Sequence, residues 1–133
     1  MENTFELNVV SHEGKLFSQK VSFFKCHSST GEIGVYPEHT DSLIMLESTD
    51  LEYELDEDNT KKFFVRSGIL SINSGNATII TDQLLFPENI EIDSVKESIS
   101  TYQGKINASN ENNINEKYRK LVLENEAKLR VLN

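Results

Sequence analysis

Tryptophan is absent from this chain of 133 residues, cysteine occurs once and proline twice. With Cys26 alone, no disulfide can form within the chain, and its neighbours Phe23 and Phe24 mark it as a small core side chain and not a nucleophile. No apolar run approaches the roughly 18 residues that a membrane-crossing helix needs. Basic side chains are also scarce, 13 against 22 acidic ones, for a net charge of −9 and a pI near 4.8. That balance excludes a binder of nucleic acid or anionic membrane, whose affinity comes from neutralising phosphates with Lys and Arg. The expected partners are neutral or basic protein surfaces. Met1–Glu6 shows no basic or apolar leader, so neither a secretory signal nor a mitochondrial presequence is expected.

Recognisable chemistry is equally sparse. Neither GxxxxGK[ST] nor GxGxxG occurs, so both standard phosphate-cradling loops are missing. His12, His27 and His39 stand far apart without a Cys or a second His at metal-ligand spacing. No serine sits in a nucleophile-elbow context. Glu32, Glu38, His39 and Asp41 form the densest polar cluster, which a carboxylate-based hydrolase could use but a polar loop after a strand explains more simply. The sequence therefore predicts a chain with no catalytic residues, metal or cofactor of its own.

What is present falls into two halves. From residue 3 to about 87 the apolar period is two: Phe5, Leu7 and Val9 alternate with polar neighbours, as do Val21 and Phe23, and Leu51, Tyr53 and Leu55. Such alternation marks strands with one buried face. His12-Glu13-Gly14-Lys15, Asp56-Glu57-Asp58-Asn59 and Ser74-Gly75-Asn76 carry turn chemistry, the last joining Ile69–Ile72 to Ala77–Thr81 as a hairpin. About eight short strands at such spacing predict an antiparallel sandwich or barrel, and Pro87 ends the last strand because it cannot donate to a ladder.

After Pro87 the period becomes helical. Val95, Ile99, Tyr102 and Ile106 share one stripe, with Ser94 and Glu97 as a capping box that starts the helix near residue 94. The run 107–113, rich in Asn and Ser, breaks it. A second cap at Asn113 and Glu116 opens a longer stripe through Ile114, Tyr118, Leu121, Val122, Asn125, Leu129 and Leu132. Two helices of about 20 and 28 Å would pair as an antiparallel hairpin. Each buries only one stripe, so the hairpin should lean on the sandwich or on a partner. The domains expected are thus a β-sandwich over 1–87 and a helical hairpin over 88–133.

Charge follows the same division: 16 acidic and 6 basic side chains in residues 1–92, 6 and 7 in residues 93–133. The second helix holds Lys117, Arg119, Lys120, Lys128 and Arg130 against Glu116, Glu124 and Glu126. The plain expectation is a solvated face with the pairs Glu116–Lys120, Glu124–Lys128 and Glu126–Arg130. The sharper one is a handle for an acidic surface on another subunit.

Val9-Val10-Ser11, Leu16-Phe17-Ser18, Gly31-Glu32-Ile33-Gly34-Val35-Tyr36-Pro37-Glu38-His39, Ser67-Gly68-Ile69-Leu70 and Ala127-Lys128-Leu129-Arg130-Val131 resemble, in order and near the family's spacing, segments of the epsilon subunit of the F-type ATP synthase. The resemblance covers essentially the whole chain, the Gly-Tyr-Pro-His segment being the most specific. It implies a ten-stranded sandwich and a helical hairpin at the foot of the rotating central stalk. This is a non-catalytic subunit that couples proton-driven c-ring rotation to the catalytic head through gamma. By position, Glu32 would face the c-ring, while Ser11, His39 and Leu43 would lie near gamma. The basic residues Lys117, Arg119, Lys120, Lys128 and Arg130 would restrain ATP hydrolysis when the hairpin swings against the catalytic alpha and beta subunits. Without a presequence, the cytoplasmic face of a bacterial inner membrane is the expected location. Three departures stand out: Glu38 where the family usually has Gly, Ser67-Gly68 in place of Gly-Gly, and Ile92-Asp93-Ser94-Val95-Lys96-Glu97 in place of the Ile/Leu-Asp-X-X-Arg-Ala run of members that bind ATP. Lysine lacks the guanidinium fork and Glu97 repels phosphate, so Asp93 and Lys96 offer a weak nucleotide site at most.

Overall fold

The computed structural model describes residues 3–56, 58–108 and 112–133, without the side chains of residues 112–114. The turn residue Glu57 and the middle of the expected break, 109–111, lie outside what is described. Of the break expected over 107–113, Asn107, Ala108, Asn112 and Asn113 are helical, so Asn113 stands inside the second helix and not at its cap. Ten strands are described: β1 Phe5–Ser11, β2 Leu16–Val21, β3 Phe23–Ser28, β4 Gly31–Val35, β5 Ser42–Leu46, β6 Thr49–Asp56, β7 Asn59–Val65, β8 Gly68–Asn73, β9 Asn76–Thr81 and β10 Leu84–Leu85. A short 3₁₀ turn, Pro87–Asn89, leads to helices α1 Ile92–Ala108 and α2 Asn112–Val131.

The strands form one hydrogen-bonded path, β10-β7-β6-β3-β5-β8-β9-β1-β2, with β4 added on β3. β3 and β5 share a single residue pair, Ser28 with Leu46, and there the sheet folds over. One layer is β10-β7-β6-β3-β4 and the other β5-β8-β9-β1-β2. All pairings are antiparallel except that β1 runs parallel to β9. Alternation decides which side chains go inside: along β1, Phe5, Leu7, Val9 and Ser11 are buried while Glu6 and Val10 are exposed. The inner faces meet in a core of Phe24, Val35, Leu51, Phe63, Leu70 and Ile79, among others, all fully buried. This is the β-sandwich followed by two helices that the sequence predicts.

The hairpin β8–β9 turns through Ser74 (φ 53°) and Gly75 (φ 83°), with Asn73 opposite Asn76. Two successive positive φ values make this a type I′ turn, whose twist suits the flanking strands. Helix α1 starts two residues before the expected Ser94 cap, its first carbonyl being that of Glu91, which accepts from Val95 N–H at 3.0 Å. Ser94 therefore sits inside the first turn. Val95 is buried and Ile99, Tyr102 and Ile106 half-buried, as the stripe predicts. Tyr102 stacks on Tyr118 of α2 (centroids 5.7 Å), and Lys105 reaches the same ring.

The sandwich is met by α2. Ala127 and Val131 pack with Phe64, Leu85 and Ile90 in a second, smaller core. Because Phe63 and Val65 point into the main core while Phe64 lies beneath the helix, β7 is buried on both faces over this stretch.

Candidate functional site

Five strands of the second layer carry an apolar row on their outer face. Register places Met45 opposite Ile69, Ile69 opposite Ile80, Ile80 beside Val10 and Val10 opposite Leu16. All five are exposed, from 40% for Val10 and Ile69 to 71% for Leu16, and Leu43, two residues from Met45 on the same face, is 76% exposed. Scattered exposed apolar residues are ordinary, but a row across five paired strands marks an interaction surface. Sequence reasoning found only Leu43 among them. The signal was present as lost alternation: Val9-Val10, Leu16-Phe17, Ile69-Leu70 and Ile79-Ile80 are apolar on consecutive positions, hence on both faces of the strand.

The loop leading into β5 borders this face. Tyr36-Pro37-Glu38-His39 is a turn closed by His39 N–H donating to the Tyr36 carbonyl at 3.3 Å. With Pro37 at the second position and Glu38 at φ 65° at the third, it is type II, a geometry that ordinarily requires Gly there. The departure Glu38 thus keeps the turn and strains its backbone. His39 Nδ1 lies 2.8 Å from the Thr40 carbonyl, which can only accept, so Nδ1 carries the proton. Asp41 accepts from Ser74 N–H at 2.9 Å and ties the loop to the β8–β9 turn. Gly34 lets the Phe23 ring pack close over the strand, where a Cβ would sit 3.0 Å from it, and that ring packs on Tyr36 at 4.5 Å between centroids.

Ser11, which the resemblance places near gamma, stands at the end of β1 beside the outward face. It is buried, its hydroxyl accepting from Lys15 N–H at 3.0 Å and its carbonyl from Gly14 N–H at 2.9 Å, so it holds the β1–β2 turn and presents no side chain outward. The adjacent Val10 is the residue that faces out.

Glu32 projects from the β3–β4 hairpin, exposed, with its carboxylate 3.9 Å from His27 Nε2. The other ring nitrogen of His27 is 3.2 Å from the Thr49 hydroxyl. Beneath them lies Cys26, whose thiol is pushed up to about 12 by burial first and by the nearby Asp50 and Glu32 carboxylates second. It is a core side chain, as expected. Among the described residues no group of three or more His, Cys, Asp and Glu is placed to hold a metal ion.

The five basic residues of α2 separate into two sets. Lys117, Arg119 and Lys120 are exposed, and Leu123, 62% exposed, stands on the same face one turn beyond Arg119 and Lys120. Lys128 instead lies over the Phe64 ring at 5.4 Å, and Arg130 pairs with Asp50 at 2.9 Å. Among the described residues the ion pairs of α2 run to the sandwich, Arg130 to Asp50 and Glu124 to Arg66 (3.7 Å), and not along the helix as the i,i+4 spacing predicts. Asp93 and Lys96 are exposed in the first turns of α1. No helix of the described residues is long and apolar enough to cross a membrane.

Residues 4–87 match the family model for the β-sandwich domain of the ATP synthase delta/epsilon chain. The ATP synthase epsilon chain of Ruthia magnifica is 27% identical over 131 residues, covering 98% of this chain and 94% of its own. That of Hydrogenovibrio crunogenus is 29% identical over 98 residues, 74% of this chain and 67% of its own. Among solved structures, a chain of the Euglena gracilis mitochondrial ATP synthase (OSCP/F1/c-ring) matches with a TM-score of 0.84 at 18% identity, covering all of this chain and 84% of that one. A chain of the Tetrahymena thermophila mitochondrial ATP synthase (central stalk/c-ring) matches at 0.70 and 11% identity, covering 99% and 98%. A two-layer sandwich with two trailing helices agrees with these likenesses, and the chain belongs to the ATP synthase delta/epsilon family, as a non-catalytic epsilon-type subunit.

Proposed function

We propose that this chain is a rotor subunit of the central stalk of a proton-translocating F-type ATP synthase. Residues 1–87 seat it on gamma and the c-ring, and residues 88–133 regulate. The observation that carries this reading is the apolar row Met45, Ile69, Ile80, Val10 and Leu16 with Leu43 beside it. A rotor subunit must hold its neighbour through a full turn under load, and an apolar strip across five strands of one rigid sheet offers such a grip. Gamma is the occupant assigned to it, with His39 at its border. Glu32, one ladder pair from the turn of the β3–β4 hairpin in the other layer, faces the c-ring. The solved neighbours come from F1/c-ring and central-stalk assemblies, which supports the assignment.

The hairpin is the regulatory part. In the docked state Lys117, Arg119, Lys120 and the exposed Leu123 make a basic face with an apolar centre, suited to an acidic segment of the catalytic alpha and beta subunits. Contact there restrains ATP hydrolysis, because a helix that moves between two environments biases the equilibrium by its difference in interaction between them. The chain is held at the cytoplasmic side of a bacterial inner membrane through its partners. Two measurements test the reading. A photo-crosslinker at Leu43 should capture gamma in the assembled enzyme, and K117E/R119E/K120E should raise ATP hydrolysis by the complex. Capture of another subunit from Leu43 sinks the gamma assignment, and unchanged hydrolysis sinks the brake.

A further inference from the structure

The seat of α2 on the sandwich has an ordered charge pattern that a simple apolar contact does not need. Lys62, Phe64 and Arg66 follow one another at every second residue along the outer side of β7 and just past its end, and α2 runs antiparallel to them. Arg66 meets Glu124, Phe64 lies under Ala127 and Lys128, and Lys62 Nζ donates to the carbonyls of Arg130 (3.3 Å) and Asn133 (3.4 Å). On β6, Asp50 is the register partner of Phe64 and takes Arg130. The spacings agree: Lys62 to Arg66 spans about 13 Å at strand rise, and Glu124 to Asn133 covers nearly the same at helical rise. Lys62 is held in place by Glu52 at 3.8 Å and aims its charge at the negative end of the helix dipole.

We propose that these contacts form an electrostatic latch that fixes the register of the docked hairpin and sets how readily it leaves the sandwich. The apolar part of the seat, Phe64 and Ala127 fully buried with Val131, Leu85 and Ile90 around them, supplies most of the hold but little direction, and the charges add a smaller increment that fixes the alignment. They also select one register. A slide of one helical turn toward Lys62 takes Glu124 off Arg66 and carries Arg130 past Asp50. Arg66 and Arg130 are about half exposed, at 47% and 48%, so the latch weakens as salt rises. It divides the basic residues of α2 by role. Lys128 and Arg130 hold the hairpin down, whereas Lys117, Arg119 and Lys120 are exposed and make no ion pair among the described residues. On the stalk reading above, charge reversal at Arg130 and at the exposed set then acts with opposite sign on the brake.

Amide hydrogen exchange of the isolated full chain tests the latch without reference to the assembled enzyme, and so separates its failure from that of the stalk reading. R130E and D50R should each speed exchange across Glu124–Val131 by roughly two- to fivefold. The charge swap D50R/R130E should return to within about twofold of the wild type, and K117E/R119E/K120E should leave it unchanged. Amides of the β8–β9 hairpin report that the sandwich is intact in every variant. Exchange in α2 unchanged by both single reversals, or a swap no better than the singles, overturns the latch.

Discussion

Ser67 and Gly68 are adjacent residues at which substitution should have opposite effects. Gly68 pairs with Leu46 on one side and Thr81 on the other, at φ 146°, and a Cβ there would lie 2.2 Å from the Ile80 carbonyl oxygen, well inside the 3.0 Å below which real Cβ contacts essentially do not occur. That oxygen belongs to backbone and cannot swing away. The next residue, Thr81, is pinned as well, its buried hydroxyl held by the Ser67 carbonyl at 2.6 Å and the Arg66 carbonyl at 3.0 Å. Gly68→Ala must therefore shift two strands or break the ladder, a loss of about 3 kcal/mol or more. A domain of this size holds only about 5–15 kcal/mol, so the midpoint of thermal unfolding should fall by roughly 10 °C. Ser67, at φ 48°, is a non-glycine residue in the left-handed region, a conformation that costs about 1–2 kcal/mol. Ser67→Gly relieves that strain while giving back about 0.4–1 kcal/mol through the freer unfolded chain, for a net gain of about 0.5–1 kcal/mol. Urea unfolding followed by circular dichroism reads both, with an unchanged slope and midpoints displaced in opposite directions. A Gly68→Ala midpoint within error of the wild type, or a Ser67→Gly midpoint below it, would refute the reasoning.

Glu38→Gly should raise stability by about 0.5–1 kcal/mol for the same reason, in the type II turn at φ 65°, measurable as a higher urea midpoint. Phe64→Ala should cost about 3–5 kcal/mol in full core contact, with a large part falling on the hairpin seat. The expected signature is α2 exchange rising far more than β8–β9 exchange, and an equal rise in both would count against a separable seat. Cys26 should resist alkylation in the native chain at pH 8 and react once urea unfolds it, since its thiol stays protonated up to about pH 12. The linkage sign follows from the raised folded value: the stability it contributes is complete below about pH 9 and is lost as pH climbs toward 12. Cys26→Val should flatten the alkaline fall in stability, and an unchanged slope would contradict the shift.

The inner faces of the sandwich were legible because burial on one side of a strand writes itself as alternation, as in Phe5-Glu6-Leu7-Asn8-Val9. The shared stripe of α1 was legible through its 3.6 period. Less legible were the places where a second surface is apolar as well. Phe63-Phe64-Val65 reads as one buried strand, yet Phe64 serves the hairpin and its neighbours the core. The seat on α2 is made of Glu124, Ala127, Lys128 and Val131, which share a face by spacing but carry too little hydrophobicity to register as a stripe. Glu124–Lys128 and Glu126–Arg130 failed because tertiary partners at 3.7 and 2.9 Å compete with weak helical neighbours, while nothing in the structure explains the Glu116–Lys120 pair missing among the described residues. For Ser11 the resemblance supplies a position and not a side-chain direction: its backbone lies next to the outward face, and strand parity turns its side chain into the protein.

The central claim is that the outer face of the β5-β8-β9-β1-β2 layer is the grip on gamma. Binding of the full chain to the catalytic head of its own organism, stripped of this subunit, tests it most directly when repeated with M45E/I80E, two exposed positions whose change leaves the core untouched. The account predicts tight binding by the wild type and a loss of at least about 100-fold in the variant, as expected when two charges are forced into the apolar centre of an interface. Equal binding by both forms, with the variant still folded, would contradict it.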